Sequence, residues 1–170
     1  MCEQCLSIPF ISSPISVVKA ALSVAKVDKS DVVMDLGCGD GRVPVIAAKY
    51  HGARGICVEI DDNLCALAEA NAKYNNVEGL VEVECRDLFT YNYSRATVIY
   101  AYLYGSILSF LSSKFEKELS EGSRILTIDF PIHGWIPLLI KRLIDESGVI
   151  RSVYLYVMGI SNPSAWVLRY

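Results

Sequence analysis

Apolar and polar positions alternate in two distinct rhythms along this chain, and the rhythm changes several times. Val17, Val18, Ala21, Leu22 and Ala25 recur at helical spacing, so 14–26 is predicted as an amphipathic helix. Ser13 is placed to cap it and Pro14 to open it. A short apolar run at 32–36 follows and reads as a buried strand, then a helix at 41–51 that Gly52 ends. The pattern repeats: strand 55–60 and helix 63–74, the latter capped by Asp62, with Leu64, Leu67, Ala68 and Ala72 on its apolar face. Strand 81–85 alternates and so has one less buried face. Strand 96–103 is β-branched and buried, and precedes helix 105–119. Strand 123–130 leads to a helix over 136–147. Two last runs, 151–158 and 165–170, flank the turn Ser161-Asn162-Pro163-Ser164 and read as an antiparallel hairpin.

Strand and helix thus alternate five times before a hairpin closes the chain. That order predicts an α/β sandwich, a Rossmann-like arrangement around a mostly parallel sheet with an antiparallel end. One domain over 1–170 is expected, with 1–13 as an N-terminal arm that two prolines keep out of a helix. Ligands of such sheets bind beyond the carboxyl ends of the strands. Asp35, Gly37, Glu59, Asp87, Tyr102 and Asp129 all fall at those ends.

The first strand runs into Asp35-Leu36-Gly37-Cys38-Gly39-Asp40-Gly41-Arg42. Glycines on alternate positions let a ligand approach the main chain, and the following helix offers free N–H groups. A dinucleotide fold prefers G-x-G-x-x-G, and its pyrophosphate would be repelled by Asp35. A nucleoside carrying positive charge suits the acid, and S-adenosylmethionine (SAM) has both a sulfonium and an ammonium. Glu59 ends the next strand about 20 residues on, where a carboxylate can accept ribose hydroxyls. An NAD(P) oxidoreductase fits less well: the glycine spacing differs, no substrate domain follows and no Tyr-x-x-x-Lys pair occurs.

Composition narrows the partners. Apolar residues make up 52% and charged residues 21%, which marks a globular chain. A net charge of -3 gives no electrostatic footprint for nucleic acid. No apolar run reaches spanning length and no secretory signal is evident, so no stable membrane insertion and a cytoplasmic location are expected. Cys38, Cys57, Cys65 and Cys85 read as small buried hydrophobes in a reducing compartment, with a hyperthermophile cytoplasm as the exception. Cys2-x-x-Cys5 has no second pair nearby, so no metal site is expected. The oligomeric state is left open.

The order of parts resembles the class I SAM-dependent methyltransferases. Asp35 to Arg42 matches their first motif, Glu59 their ribose acid, and Asp87-Leu88 the pair that meets the adenine. More narrowly, the chain resembles the small archaeal protein-lysine methyltransferases and the related mitochondrial enzymes that methylate lysine in ATP synthase. The arm Pro9 to Pro14, the glycine motif, Phe115 to Leu119 and Val153 to Gly159 carry this likeness over about residues 8 to 159. Two departures occur in the arm: Phe10 and Ser12 stand where the family has tyrosine and proline.

The resemblance implies a seven-stranded sheet and SAM held by Asp35, Gly37, Cys38, Gly39, Gly41, Glu59, Ile60, Asp87 and Leu88. It implies an arm, Phe10, Ser12, Ser13 and Pro14, that meets a protein substrate bearing lysine. A lysine acceptor must lose a proton, and its pKa is near 10.4. An apolar, aromatic channel lowers that value. Tyr102 and Tyr104 are the expected wall, and Asp129 an acid that orients an ammonium. His133 is the one histidine near these positions and a further candidate proton acceptor. No Asn-Pro-Pro-Tyr or Asp-Pro-Pro-Tyr stands here, which argues against adenine N6 or glutamine amides. A small-metabolite methyltransferase and a non-catalytic SAM-binding protein are the alternatives. The first would need a lid, and no inserted segment is visible.

Overall fold

The computed structural model describes residues 11–166. Its elements are α1 (Ile15–Val24), β1 (Val32–Leu36), α2 (Arg42–His51), β2 (Arg54–Glu59), α3 (Asp62–Tyr74), β3 (Val81–Cys85), β4 (Val98–Ala101), α4 (Gly105–Glu118), β5 (Arg124–Ile128), β6 (Leu139–Ile144) and β7 (Ile150–Val157). The seven strands form one sheet in the order β3-β2-β1-β4-β5-β7-β6. Strands β1 to β5 are parallel, and β7 runs antiparallel to both β5 and β6. The expected Rossmann-like sandwich is therefore the observed one.

Strand β1 lies in the interior of the sheet between β2 and β4 and is buried on both faces, as its run of apolar residues broken only by Asp35 requires. Val33, Val98, Tyr100, Leu126, Ile128 and Val153 face α1 and α2. Met34, Leu36, Ile99, Ile125 and Tyr156 face α4, through Leu108, Leu111 and Phe115. Burial of each such side chain contributes about 1.5–3 kcal/mol. Helix α3 packs Ala68 and Ala72 toward α2 and β2, next to the glycine turn.

The last third departs from the sequence reading. Residues 136–147, expected as a helix, hold β6 instead, and the hairpin partner of β7 is β6 rather than 165–170. Short apolar runs fit either period, and pairing with β7 decides the matter. Pro163–Trp166 forms a single 3-10 turn, and 167–170 lie outside the described residues. Because no helix joins β5 to β6, the hairpin lacks the cover that α4 gives its neighbours. Ile140, Ile144 and Ile150 are exposed there.

Smaller corrections concern caps and cysteines. Pro14, not Ser13, occupies the cap of α1, and Asp61, not Asp62, caps α3 by accepting the N–H groups of Asn63 and Leu64. The cysteines are not free: Cys38 is joined to Cys57 and Cys65 to Cys85, with Cα atoms 5.3 and 6.0 Å apart. The first joins the glycine turn to β2, and the second joins α3 to the end of β3. Cys2 and Cys5 lie outside the described residues.

Candidate active site

The glycine turn after β1 is built as its sequence requires. Gly37, Gly39 and Gly41 have φ of +74°, +56° and +72°, a region that favours glycine. Gly41 has a second reason to be glycine. A Cβ there would stand 2.8 Å from the Ala68 Cβ and 3.2 Å from its Cα, so Gly41 lets α3 close on the turn. Gly37 and Cys38 both donate their N–H to the Val58 carbonyl, at 2.8 and 3.2 Å.

Glu59 holds the same turn from β2. One carboxylate oxygen accepts the Gly39 N–H at 2.9 Å, and the other accepts the N–H groups of Ile60 and Asp61 at 2.8 and 3.1 Å. A carboxylate has about four acceptor directions. Three are in use in the unliganded protein, which leaves one open for a ligand hydroxyl. Ile60 itself is exposed beside it. Asp87 and Leu88 follow β3 on the same edge. Asp87 Oδ1 accepts the Phe89 N–H at 2.8 Å, and the Leu88 carbonyl accepts the Tyr93 hydroxyl.

Asp35 is the anomaly of this edge. It is 4% exposed and accepts no hydrogen bond among the described residues. Burial, followed by the nearby charges of Glu59 and Asp40, pushes its pKa well above the ordinary range. It lines a small cavity of about 20 Å³ with Ile11, Ser12, Ser13, Gly37, Arg42 and Tyr102. Arg42 pairs with Asp40 at 2.6 Å and donates from Nη1 to the Ser13 carbonyl at 2.9 Å. The arm is therefore fastened over the turn. Its other anchor is Glu146, on the β6–β7 turn, whose carboxylate accepts the N–H groups of Ile15 (2.7 Å) and Ser16 (3.3 Å) and the Ser16 hydroxyl. Glu146 thus supplies α1 with the cap its own sequence lacks. Phe10 lies outside the described residues.

On the far side of the cavity stands Tyr102. Its hydroxyl donates to Asp129 Oδ2 at 3.2 Å and accepts from Arg151 Nη1 at 2.9 Å. Burial first, then the Asp129 charge, raises its pKa. Asp129 is bound further by Arg151 (2.8 Å) and by the Ser152 N–H (3.0 Å). Arg151 also donates from Nε to Asp145 at 2.8 Å. Asp129 is therefore an ion-paired brace for Tyr102 rather than a free acid facing an ammonium. Tyr104 is half exposed and meets Phe130 edge-on, with ring centres 5.6 Å apart. His133 is exposed in the loop after β5 and does not join this network.

Sequence reasoning missed Arg151 and Glu146: Glu146 falls in the stretch 136–147 that periodicity reads as a helix, and Arg151 opens a run correctly read as a strand but expected to pair with 165–170, away from the site. A larger open groove of about 550 Å³ runs along the amino ends of β1 to β3, at the opposite edge of the sheet.

The residues present fit SAM. The turn offers open backbone, Asp35 is a buried acid without a hydrogen-bond partner among the described residues that a cationic ligand would compensate, and Glu59 keeps one acceptor position. Comparisons agree. Residues 35–139 match the model of the ANTKMT methyltransferase domain. A protein-lysine N-methyltransferase of Saccharolobus islandicus is 37% identical over 89% of this chain and 94% of its own. An adenine nucleotide translocase lysine N-methyltransferase of Mus musculus is 28% identical over 79% of this chain and 58% of its own. Among solved structures, an RNA methyltransferase from Salinibacter ruber in complex with S-adenosyl-L-homocysteine superimposes with a TM-score of 0.81. It is 38% identical and covers 87% of this chain and 94% of its own. The chain belongs to the ANTKMT-type methyltransferase family and is a SAM-dependent methyltransferase of class I fold.

Proposed function

We infer that this protein transfers a methyl group from SAM to lysine side chains of other proteins. The observation that carries this reading is the Saccharolobus islandicus protein-lysine enzyme, similar across nearly the full length of both chains. The mouse lysine N-methyltransferase adds to it across a shorter share of its own length.

The residues proposed to hold the donor are Asp35, Gly37, Cys38, Gly39, Gly41, Glu59, Ile60, Asp87 and Leu88. Bound there, SAM supplies an activated methyl carbon on a sulfonium. The protein's own task is to place the acceptor nitrogen in line and exclude water. Ser12, Ser13 and Pro14 would form one wall of the acceptor channel, and Tyr102 and Tyr104 the other. A lysine entering between them loses water, and desolvation favours its neutral form. Tyr102 is poorly suited to be a base, since Arg151 and Asp129 already occupy its hydroxyl. Its ring remains to face a cation. Asp129 acts only through Tyr102.

A cytoplasmic location belongs to the same reading, because the donor is a charged intracellular metabolite; cell fractionation tests it. Among the described residues no helix is long and apolar enough to cross a membrane. A second reading, RNA as acceptor, is favoured by the Salinibacter structure. The net charge of -3 favours protein instead. Incubation with methyl-labelled SAM and host-cell extract separates them. Label that survives nuclease, disappears with protease and maps to methyl-lysine is the expected result. Label lost to nuclease alone would refute the lysine assignment.

A further inference from the structure

Buried polar groups are almost always paired, and Tyr100 is not. Its side chain is fully buried, and its hydroxyl is the one buried side-chain polar atom without a hydrogen-bond partner among the described residues. Tyr100 is the direct partner of Asp35 across the β1–β4 ladder, so both project from the same face. Its polar surroundings are Ser13, Asp35, Tyr102 and Asp129. Ser13 stands close by, yet no bond of regular geometry joins the two hydroxyls. Phenylalanine would fill this position without stranding a hydroxyl.

Beside it, the Asp35 carboxylate accepts no hydrogen bond among the described residues and opens on the small cavity that Ser13 and Tyr102 also line. A carboxylate facing the cavity and an unpaired hydroxyl on the adjacent strand suit the same visitor. A neutral ligand would leave the carboxylate uncompensated, and an anion would meet Asp35 while the cation in the lining, Arg42, is already paired with Asp40. A primary ammonium has one positive charge and three N–H donors. Asp35, the phenol oxygen of Tyr100 and the hydroxyl of Ser13 are three acceptors.

We propose that Asp35, Tyr100 and Ser13 form a cradle for a primary ammonium, in which Tyr100 serves the ligand and not the fold. The proposal rests on SAM being the methyl donor. Two sources carry this group: the α-ammonium of the donor's methionine portion, and the ε-ammonium of an acceptor lysine.

The test compares wild type with Tyr100→Phe, and with Ser13→Ala as a second variant. Calorimetric titrations use S-adenosylhomocysteine and 5′-methylthioadenosine, which keeps the nucleoside thioether and lacks the amino-acid end. If the cradle holds the donor, Tyr100→Phe weakens S-adenosylhomocysteine about tenfold, the scale of one hydrogen bond to a charged group. Binding of 5′-methylthioadenosine stays unchanged, and the unliganded thermal midpoint does not fall. If it holds the acceptor, both affinities are kept and labelling of host-cell protein drops about tenfold at limiting protein. Equal affinities and equal labelling overturn the cradle. A matching loss for both nucleosides, or a lowered midpoint, assigns Tyr100 to packing and overturns it too. Wild-type protein that binds neither nucleoside refutes the donor assignment itself.

Discussion

Gly41→Ala separates two reasons for a glycine that the sequence alone merges. Gly41 stands in the left-handed region at φ +72° and opens α2. An alanine there costs about 1–2 kcal/mol for the backbone conformation alone. Its Cβ would also meet the Ala68 Cβ at 2.8 Å and Cα at 3.2 Å. That obstacle is the body of α3, not the end of a flexible side chain. Asn71, on the same helix, donates to the Asp40 carbonyl at 3.0 Å, and Cys65 ties α3 to Cys85. Helix α3 therefore cannot yield freely, and overpacking adds about 1–3 kcal/mol. The expected loss is about 2–5 kcal/mol, a large share of the 5–15 kcal/mol typical of a domain. At about 2–4 °C per kcal/mol, the midpoint falls by roughly 4–20 °C. Gly37→Ala is the control. Its φ is +74°, but its added Cβ finds only the Leu103 Cδ2 at 3.7 Å, an ordinary contact. It should lose only the conformational part. Urea unfolding followed by tryptophan fluorescence, with equal slopes for all three proteins, measures the difference. Equal losses in the two variants would refute the packing argument.

The other predictions probe charge, wall and bridges. Asp35→Asn should make the unliganded protein more stable at neutral pH, by about 1–3 kcal/mol, because it removes a desolvated carboxylate. The folded pKa of Asp35 is raised, so the fold retains a proton that the unfolded chain releases. Its contribution is therefore full at low pH and lost as pH rises toward the folded value. The advantage of the variant should vanish as pH falls to the unperturbed 3.8, and thermal melts across pH check this. The same variant should bind S-adenosylhomocysteine more weakly in calorimetry. Tyr102→Phe should keep most activity, whereas Tyr102→Ala should lose about 100-fold or more, as expected for misplaced reactants; a collapse of the phenylalanine variant in a labelled-methyl assay would restore the hydroxyl as a catalytic group. Each disulfide closes a loop of 19 or 20 residues, worth about 3 kcal/mol. Phosphine reduction should lower the melting temperature by roughly 6–12 °C per bridge, and no shift alongside mass-verified free thiols would contradict it.

The half of the molecule proposed to bind the donor was legible in the sequence because it is local. Asp35, the three glycines and Glu59 lie within 25 residues, and each type has a distinct backbone or charge requirement. Strand β3 falls on the expected residues, and β1 likewise. The hairpin was illegible by periodicity, since Leu138, Leu139, Ile140, Leu143 and Ile144 fit a helix face as well as a strand. The signal that would have found it is Asp145-Glu146-Ser147-Gly148, a turn between two apolar runs. Asp145 there accepts the N–H groups of Ser147 and Val149, at 2.8 and 2.9 Å. The cysteine pairs also had a signal. Their separations of 19 and 20 residues approximate one strand–helix–strand repeat, which returns the chain to a neighbouring position.

The acceptor side has the opposite construction, and that difference has a physical consequence. Its parts come from the arm, the end of β4, the end of β5 and the β6–β7 turn, spread over about 140 residues. No local rule can position them, so long-range polar contacts do. Asp145 and Glu146, neighbours on one turn, face both ways. Glu146 grips the start of α1, and the Ser16 hydroxyl holds its carboxylate below the usual range. Asp145 grips Arg151, which fixes Tyr102 and Asp129. The two walls of the cavity thus share a single foundation three strands away from the glycine turn. The proposed donor site is set within β1, α2 and the ends of β2 and β3, and that stretch can stay fixed while the hairpin varies. A fold divided in this way keeps one methyl donor and changes its acceptor by altering residues that touch neither.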